Sequence, residues 1–135
     1  MEVLSSRILL TPTDFDATRR WYTDVLGLRT YREYGVEGRV TGVVLFAGGG
    51  YIELTSAPPR RPLGPVPVTL WLQVADVAAE HARLAANGAV TITAAPERMP
   101  WGLIEMWLED PDGVRLVLVE VPDGHPLRTR LGIDN

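Results

Sequence analysis

The chain contains no cysteine. Disulfides, thiolate metal sites and cysteine nucleophiles are therefore excluded. It contains no lysine either, since all 13 of its basic residues are arginine. Schiff-base chemistry and the lysine of a phosphate-binding loop are excluded with it. Genomic codon bias is a sufficient cause for that preference. Histidine is scarce, with His81 inside a helical stretch and His125 near the C-terminus. His81 reads as packing at a helix–sheet boundary, and neither histidine falls on a strand. Positive charge is in the minority: the formal net charge is −4 and the isoelectric point is near 5.1. Nucleic acid is excluded as the main partner, because phosphate binding rests on clustered positive charge. No apolar run is long enough to cross a bilayer, and no basic segment followed by an apolar stretch marks a secretory leader. No membrane partner and a cytoplasmic location are expected.

What remains is a chain of 135 residues, 46% hydrophobic and 22% charged, with a mean hydropathy of +0.05. These values fit a globular fold and not a disordered one. At this size folding buries roughly two-thirds of the surface that an extended chain exposes, enough for a core without covalent staples.

The chain repeats itself. Leu10-Thr11-Pro12-Thr13-Asp14-Phe15 leads into a helical stretch that stops at Leu26-Gly27. Leu72-Gln73-Val74-Ala75-Asp76-Val77 leads into another that stops at Asn87-Gly88. Each half then continues with three strand-like runs, so the order is βαβββ twice. In the first half, strands are expected over 4–10, 28–34, 40–47 and 51–55. The helix begins with a capping box of Thr13 and Asp16, runs to about Val25 and ends at Gly27. In the second half, strands are expected over 68–74, 90–94, 103–108 and 114–121. Asp76 caps the helix, which runs to about Ala86 and ends at Gly88. Asp110-Pro111-Asp112-Gly113 suits a type I turn.

The predicted organisation is a first module over 1–57, a proline-rich linker over 58–67, a second module over 68–121 and a polar, loosely attached tail over 122–135. The strand at 68–74 alternates. Its aliphatic face (Val68, Leu70, Leu72, Val74) should meet a helix. Thr69, Trp71 and Gln73 share the other face.

Asp14 to Tyr22 followed by Leu26-Gly27, then Tyr51-Ile52-Glu53-Leu54, then Asp76 to Gly88, then Pro100-Trp101-Gly102 and Asp110-Pro111-Asp112-Gly113 together resemble the vicinal oxygen chelate superfamily. That group holds glyoxalases, extradiol dioxygenases, and the fosfomycin- and bleomycin-resistance proteins. The resemblance covers about 3–121. It implies an α+β fold of tandem βαβββ modules, with curved mixed sheets, helices on the convex side and ligands in the concave cup.

The resemblance further implies a divalent metal held from the first and last strand of each module. The corresponding positions here are Arg7, Glu53, Thr69 and Val117. Arginine and valine offer no donor, and a threonine hydroxyl is a poor one. A catalytic site needs about three protein ligands. No metal and no cofactor are therefore expected, and Arg7 and Glu53 would form an ion pair instead. Candidate ligand-binding residues are Arg7, Tyr51, Glu53, Thr69, Trp71, Gln73, Trp101, Glu105 and Trp107. For Trp101 and Trp107 the choice between cup and core stays open, while Trp21 reads as core.

The branch so resembled is the metal-free bleomycin-resistance type. The expected function is sequestration of an aromatic or peptidic natural product, as in antibiotic resistance, by a homodimer with clefts shared between subunits. The alternative is a metal-dependent lyase, isomerase or dioxygenase. A metal-free enzyme using Glu53 as base would contend with Arg7, which lowers carboxylate basicity. A regulatory module that kept the fold and lost the site is the third possibility.

Overall fold

A computed structural model describes residues 1–57 and 68–127. The proline-rich linker at 58–67 and the end of the tail at 128–135 lie outside the described residues. The chain divides into two compact units, Met1–Pro67 and Val68–Asn135. Each carries a four-stranded mixed sheet and one short helix, an α+β architecture built from βαβββ modules.

In the first unit, β1 (Arg7–Leu10) leads to α1 (Phe15–Arg20), which continues as a π-helical turn over Trp21–Val25. Then follow β2 (Thr30–Val36), β3 (Arg39–Ala47) and β4 (Gly50–Thr55). The sheet order is β1-β4-β3-β2, with β1 parallel to β4 and the other pairs antiparallel. The helix cap is Asp14, whose carboxylate accepts from the Ala17 amide at 3.0 Å. The expected capping box on Thr13 is corrected: both residues carry a suitable oxygen, and it is Asp14 that stands three positions before Ala17, the last amide ahead of the first intrahelical bond at Thr18. The expected helix does run to Val25, with its last five residues π-helical. In a regular helix adjacent residues point about 100° apart. The wider turn leaves the neighbours Trp21 and Tyr22 both buried, edge to face with ring centroids 5.0 Å apart. The turn closes at Gly27, where φ is +90°, as the left-handed end position favours glycine.

The face of this sheet under the helix is the core. Ile52 pairs with Leu45, and Leu54 pairs with Val43, and all four are buried. At about 25 cal/mol per Å² of apolar area, such side chains supply most of the unit's cohesion. Strand β1 begins at Arg7 rather than at residue 4, and Val3 and Leu4 are exposed. Strand β2 begins two residues late and carries register shifts at Thr30/Arg32 and Tyr34/Gly35.

In the second unit, β5 (Thr69–Gln73) leads to α2 (Val77–Ala85), then β6 (Thr91–Arg98), β7 (Ile104–Glu109) and β8 (Arg115–Glu120). The order is β5-β8-β7-β6, with β5 parallel to β8. Asp76 caps α2 by accepting from the Ala79 amide at 2.9 Å. Glu120 ties the same helix end to β8 by accepting from the Val77 amide at 3.0 Å. The helix ends at Ala85, before Gly88, which lacks a positive φ. Helix α2 lies over β6, β7 and β8, and Leu70, Met106, Leu108 and Leu116 are buried.

Strand β6 runs to Arg98, past the expected end at Ala94 and through Pro96. It is an edge strand, where a missing N–H costs no ladder bond. The β7–β8 connection is a turn as expected: the Gly113 amide donates to the Asp110 carbonyl at 2.9 Å, and Gly113 has a φ of +81°. Asp110, only 6% exposed, also accepts on its side chain from the Asp112 and Val114 amides at 2.8 and 2.9 Å.

The described part of the tail, 122–127, corrects the expectation of loose attachment there. His125 Nε2 lies 2.9 Å from the Trp101 carbonyl oxygen, and its Nδ1 accepts from the Leu127 amide at 3.1 Å. Leu127 packs against Leu103, Val117, Val119 and Val121.

Candidate functional site

Strand pairing decides which side chains share a face, because partners across a sheet point the same way. In the first unit Arg7, Tyr51 and Phe46 lie on one rung, and Leu9, Glu53, Val44 and Arg32 on the next. This is the face opposite the buried one. The sequence-predicted residues Arg7, Tyr51 and Glu53 are thus brought together. Arg7 Nη1 stands 3.3 Å from Glu53 Oε1, and the two side chains are 38% and 13% exposed. The ion pair expected from the sequence is present.

Around that pair lies an aromatic group that the sequence reading missed. The Tyr31 ring is 5.1 Å from Phe46 and 5.2 Å from Tyr51, and Phe46 and Tyr51 are 5.8 Å apart. Offset and edge contacts at such distances are the favourable ones for aromatic rings. Tyr31 is 51% exposed, so the group is open to solvent in this unit. Tyr34 lays its ring on Gly42, where a Cβ atom would collide with it. Guanidinium groups cover several rings: Arg29 sits 5.4 Å from the Phe46 centroid, Arg32 5.8 Å from Tyr34, and Arg7 6.0 Å from Tyr51.

In the second unit Trp71, Val117 and Trp107 form one rung, and Gln73, Val119 and Glu105 the next. Thr69 lies on the same face, opposite Arg115. Five of the predicted residues (Thr69, Trp71, Gln73, Glu105, Trp107) therefore share it. Trp101 joins them from the β6–β7 turn, since its indole N–H donates to Glu105 Oε2 at 2.9 Å. Glu105 is 9% exposed, and a buried carboxylate needs such a donor. Trp71 and Trp101 are exposed, at 48% and 56%. Trp107 is partly buried and packs on the cluster that also takes Leu127. The chain's own tail thus rests on part of this face. No sequence signal announced that contact, because it joins His125 to Trp101 across 24 positions.

His81 is half-buried on α2. Among the described residues, no three His, Asp or Glu side chains gather as a group that could hold a metal ion. Among them also, no helix is long and apolar enough to cross a membrane.

Solved structures share this architecture. TioX from Micromonospora sp. ML1 is 22% identical with a TM-score of 0.70, over 87% of this chain and 95% of that one. A member of the glyoxalase/bleomycin resistance protein/dioxygenase superfamily from Sphaerobacter thermophilus DSM 20745 is 25% identical with a TM-score of 0.64, over 90% of this chain and 98% of that one. UcmS2 is 20% identical with a TM-score of 0.70, over 88% of this chain and 98% of that one. Comparison with curated proteins returned no match. The model of the Glyoxalase/Bleomycin resistance protein/Dioxygenase superfamily matches residues 5–118, and the chain belongs to that superfamily.

Proposed function

We propose that this protein binds and sequesters a small aromatic or peptidic natural product, without a metal, in the manner of the bleomycin-resistance branch. The observation that carries this reading is the Arg7–Glu53 contact at 3.3 Å. The resemblance places metal ligands at Arg7, Glu53, Thr69 and Val117. The one carboxylate among them is engaged by a permanently charged guanidinium. Val117 lies in an apolar cluster, 3% exposed. This donor set does not fit a divalent ion, which needs about three oxygen or nitrogen ligands and an open position.

Exposed rings beside a few polar groups suit a flat organic ligand instead. In the second unit Trp71 and Trp101 supply exposed rings, and Gln73, Thr69 and Glu105 supply hydrogen-bonding groups; in the first, Tyr31 and half-buried Tyr51 supply rings beside Arg7 and Glu53. Holding such a ligand requires no chemical step. A twofold homodimer with clefts shared between subunits is the assembly proposed for it, in the cytoplasm.

The test is titration of the protein with a panel of aromatic and peptidic antibiotics, read by quenching of tryptophan emission. Chromatography of the recovered ligand accompanies each titration. Saturable quenching with chemically unchanged ligand is expected. One tightly retained transition ion per chain together with conversion of the ligand would overturn the reading in favour of a metal-dependent lyase, isomerase or dioxygenase.

A further inference from the structure

We propose that the open face of the first unit's sheet selects planar aromatic ligands that carry an anionic group, such as an aryl carboxylate or sulfonate. The proposal rests on the reading of the protein as an aromatic-ligand binder and adds the sign of the ligand's charge.

Three guanidinium groups stand on this face, from Arg7, Arg29 and Arg32. Among its described strand residues Glu53 is the one carboxylate, and Arg7 already holds it. Among the described residues, neither Arg29 nor Arg32 makes an ion pair. Both are exposed. The face is therefore locally positive in a chain whose formal net charge is −4.

The geometry suits a particular shape of ligand. The N–H donors of a guanidinium lie in its own plane, and contact of that group with a ring face does not use them up as a hydrogen bond would. Those donors match a carboxylate or sulfonate in a two-pronged contact. Arg29 over Phe46 places such a fork beside the Tyr31–Phe46–Tyr51 group. A flat ring resting on those side chains would bring an acidic substituent to Arg29 and Arg32. A neutral analogue would leave both forks without a charged partner, and a cationic one would meet like charge.

Calorimetric titration of the full chain tests this with three probes sharing one ring: 2-naphthoate, 2-naphthamide and 2-(aminomethyl)naphthalene. Heat is the readout because this sheet carries no tryptophan: Trp21 is buried on the helix and the others belong to the second unit. Naphthoate is expected to bind about tenfold more tightly than the amide, and the amine more weakly than either. The double variant R29Q/R32Q should abolish the tenfold preference for naphthoate over the amide. Phe46→Ala and, separately, Tyr31→Ala should weaken all three. Both arginines are exposed, so circular dichroism and the melting profile of the double variant should match the parent.

Equal affinity for the three probes, lost in Phe46→Ala, would overturn the charge preference and leave aromatic binding standing. A naphthoate preference that survives the double variant would overturn the role of Arg29 and Arg32. No saturable binding of any probe would overturn the proposal for this face, while the antibiotic titration read by tryptophan quenching decides the aromatic-binder reading.

Discussion

Arg7 and Glu53 meet diagonally across the parallel strands β1 and β4: Arg7 lies opposite Tyr51, and Glu53 stands one rung further along, 3.3 Å from the guanidinium. With Arg7 38% exposed, water screens the pair, and its contribution to stability should be about 0.2–1 kcal/mol. A double-mutant cycle of R7A and E53Q in urea is expected to return a coupling in that range. Ligand affinity should fall more than stability does if, as proposed, the pair orients the ligand's polar group. Retained affinity in both single variants would remove the pair from the site.

Asp110 holds the β7–β8 turn through two backbone amides while nearly buried. Asp110→Ala leaves both donors without their acceptor and should cost about 2 kcal/mol. Asp110→Asn keeps an oxygen in place and should cost about half of that. Chemical denaturation of the two variants distinguishes them.

Thr18 is 1% exposed on α1, and its hydroxyl makes no hydrogen bond among the described residues. Valine has nearly the same shape without the polar group. Thr18→Val should therefore raise stability by about 1 kcal/mol, seen as a higher denaturant midpoint at unchanged m-value. A loss of stability would mean that the hydroxyl has a partner.

His125 uses both ring nitrogens, one toward the Trp101 carbonyl and one accepting from Leu127. These contacts fit the neutral ring with its proton on Nε2. His125→Ala should release the clasp. Amide exchange at Leu127 should then quicken about tenfold, and the tryptophan emission should shift to the red as Trp107 loses the cover of Leu127. Unchanged exchange would show that Leu127 packing alone holds the segment.

Much of the fold was readable where the signal is local. Asp76 caps its helix because its carboxylate reaches an amide three residues on. Alternation along β5 separated Leu70 from Trp71 because the side-chain period of a strand is two. Period-two reading failed along β2, where two register shifts break the parity. Tyr31 sits at the first of them, so nothing in its spacing pointed to Phe46 and Tyr51. Arg29 and Arg32 were passed over for the same reason, since a charged residue next to an irregular strand carries no face label. The strand expected over 90–94 continues through Pro96 to Arg98, because edge position, which tolerates a proline, is a property of the sheet and not of the segment.

The parallel pairing of β1 with β4 also sets an order of assembly. Arg7 and Glu53 lie 46 positions apart, so on the ribosome β1 emerges first and finds its neighbour last. The β2–β3–β4 meander closes short loops and can form as it is made, whereas β1 waits until β4 is extruded. The second unit repeats the delay with β5 and β8. Within each half the opening strand thus receives its place last, β1 with Arg7 in the first and β5 in the second.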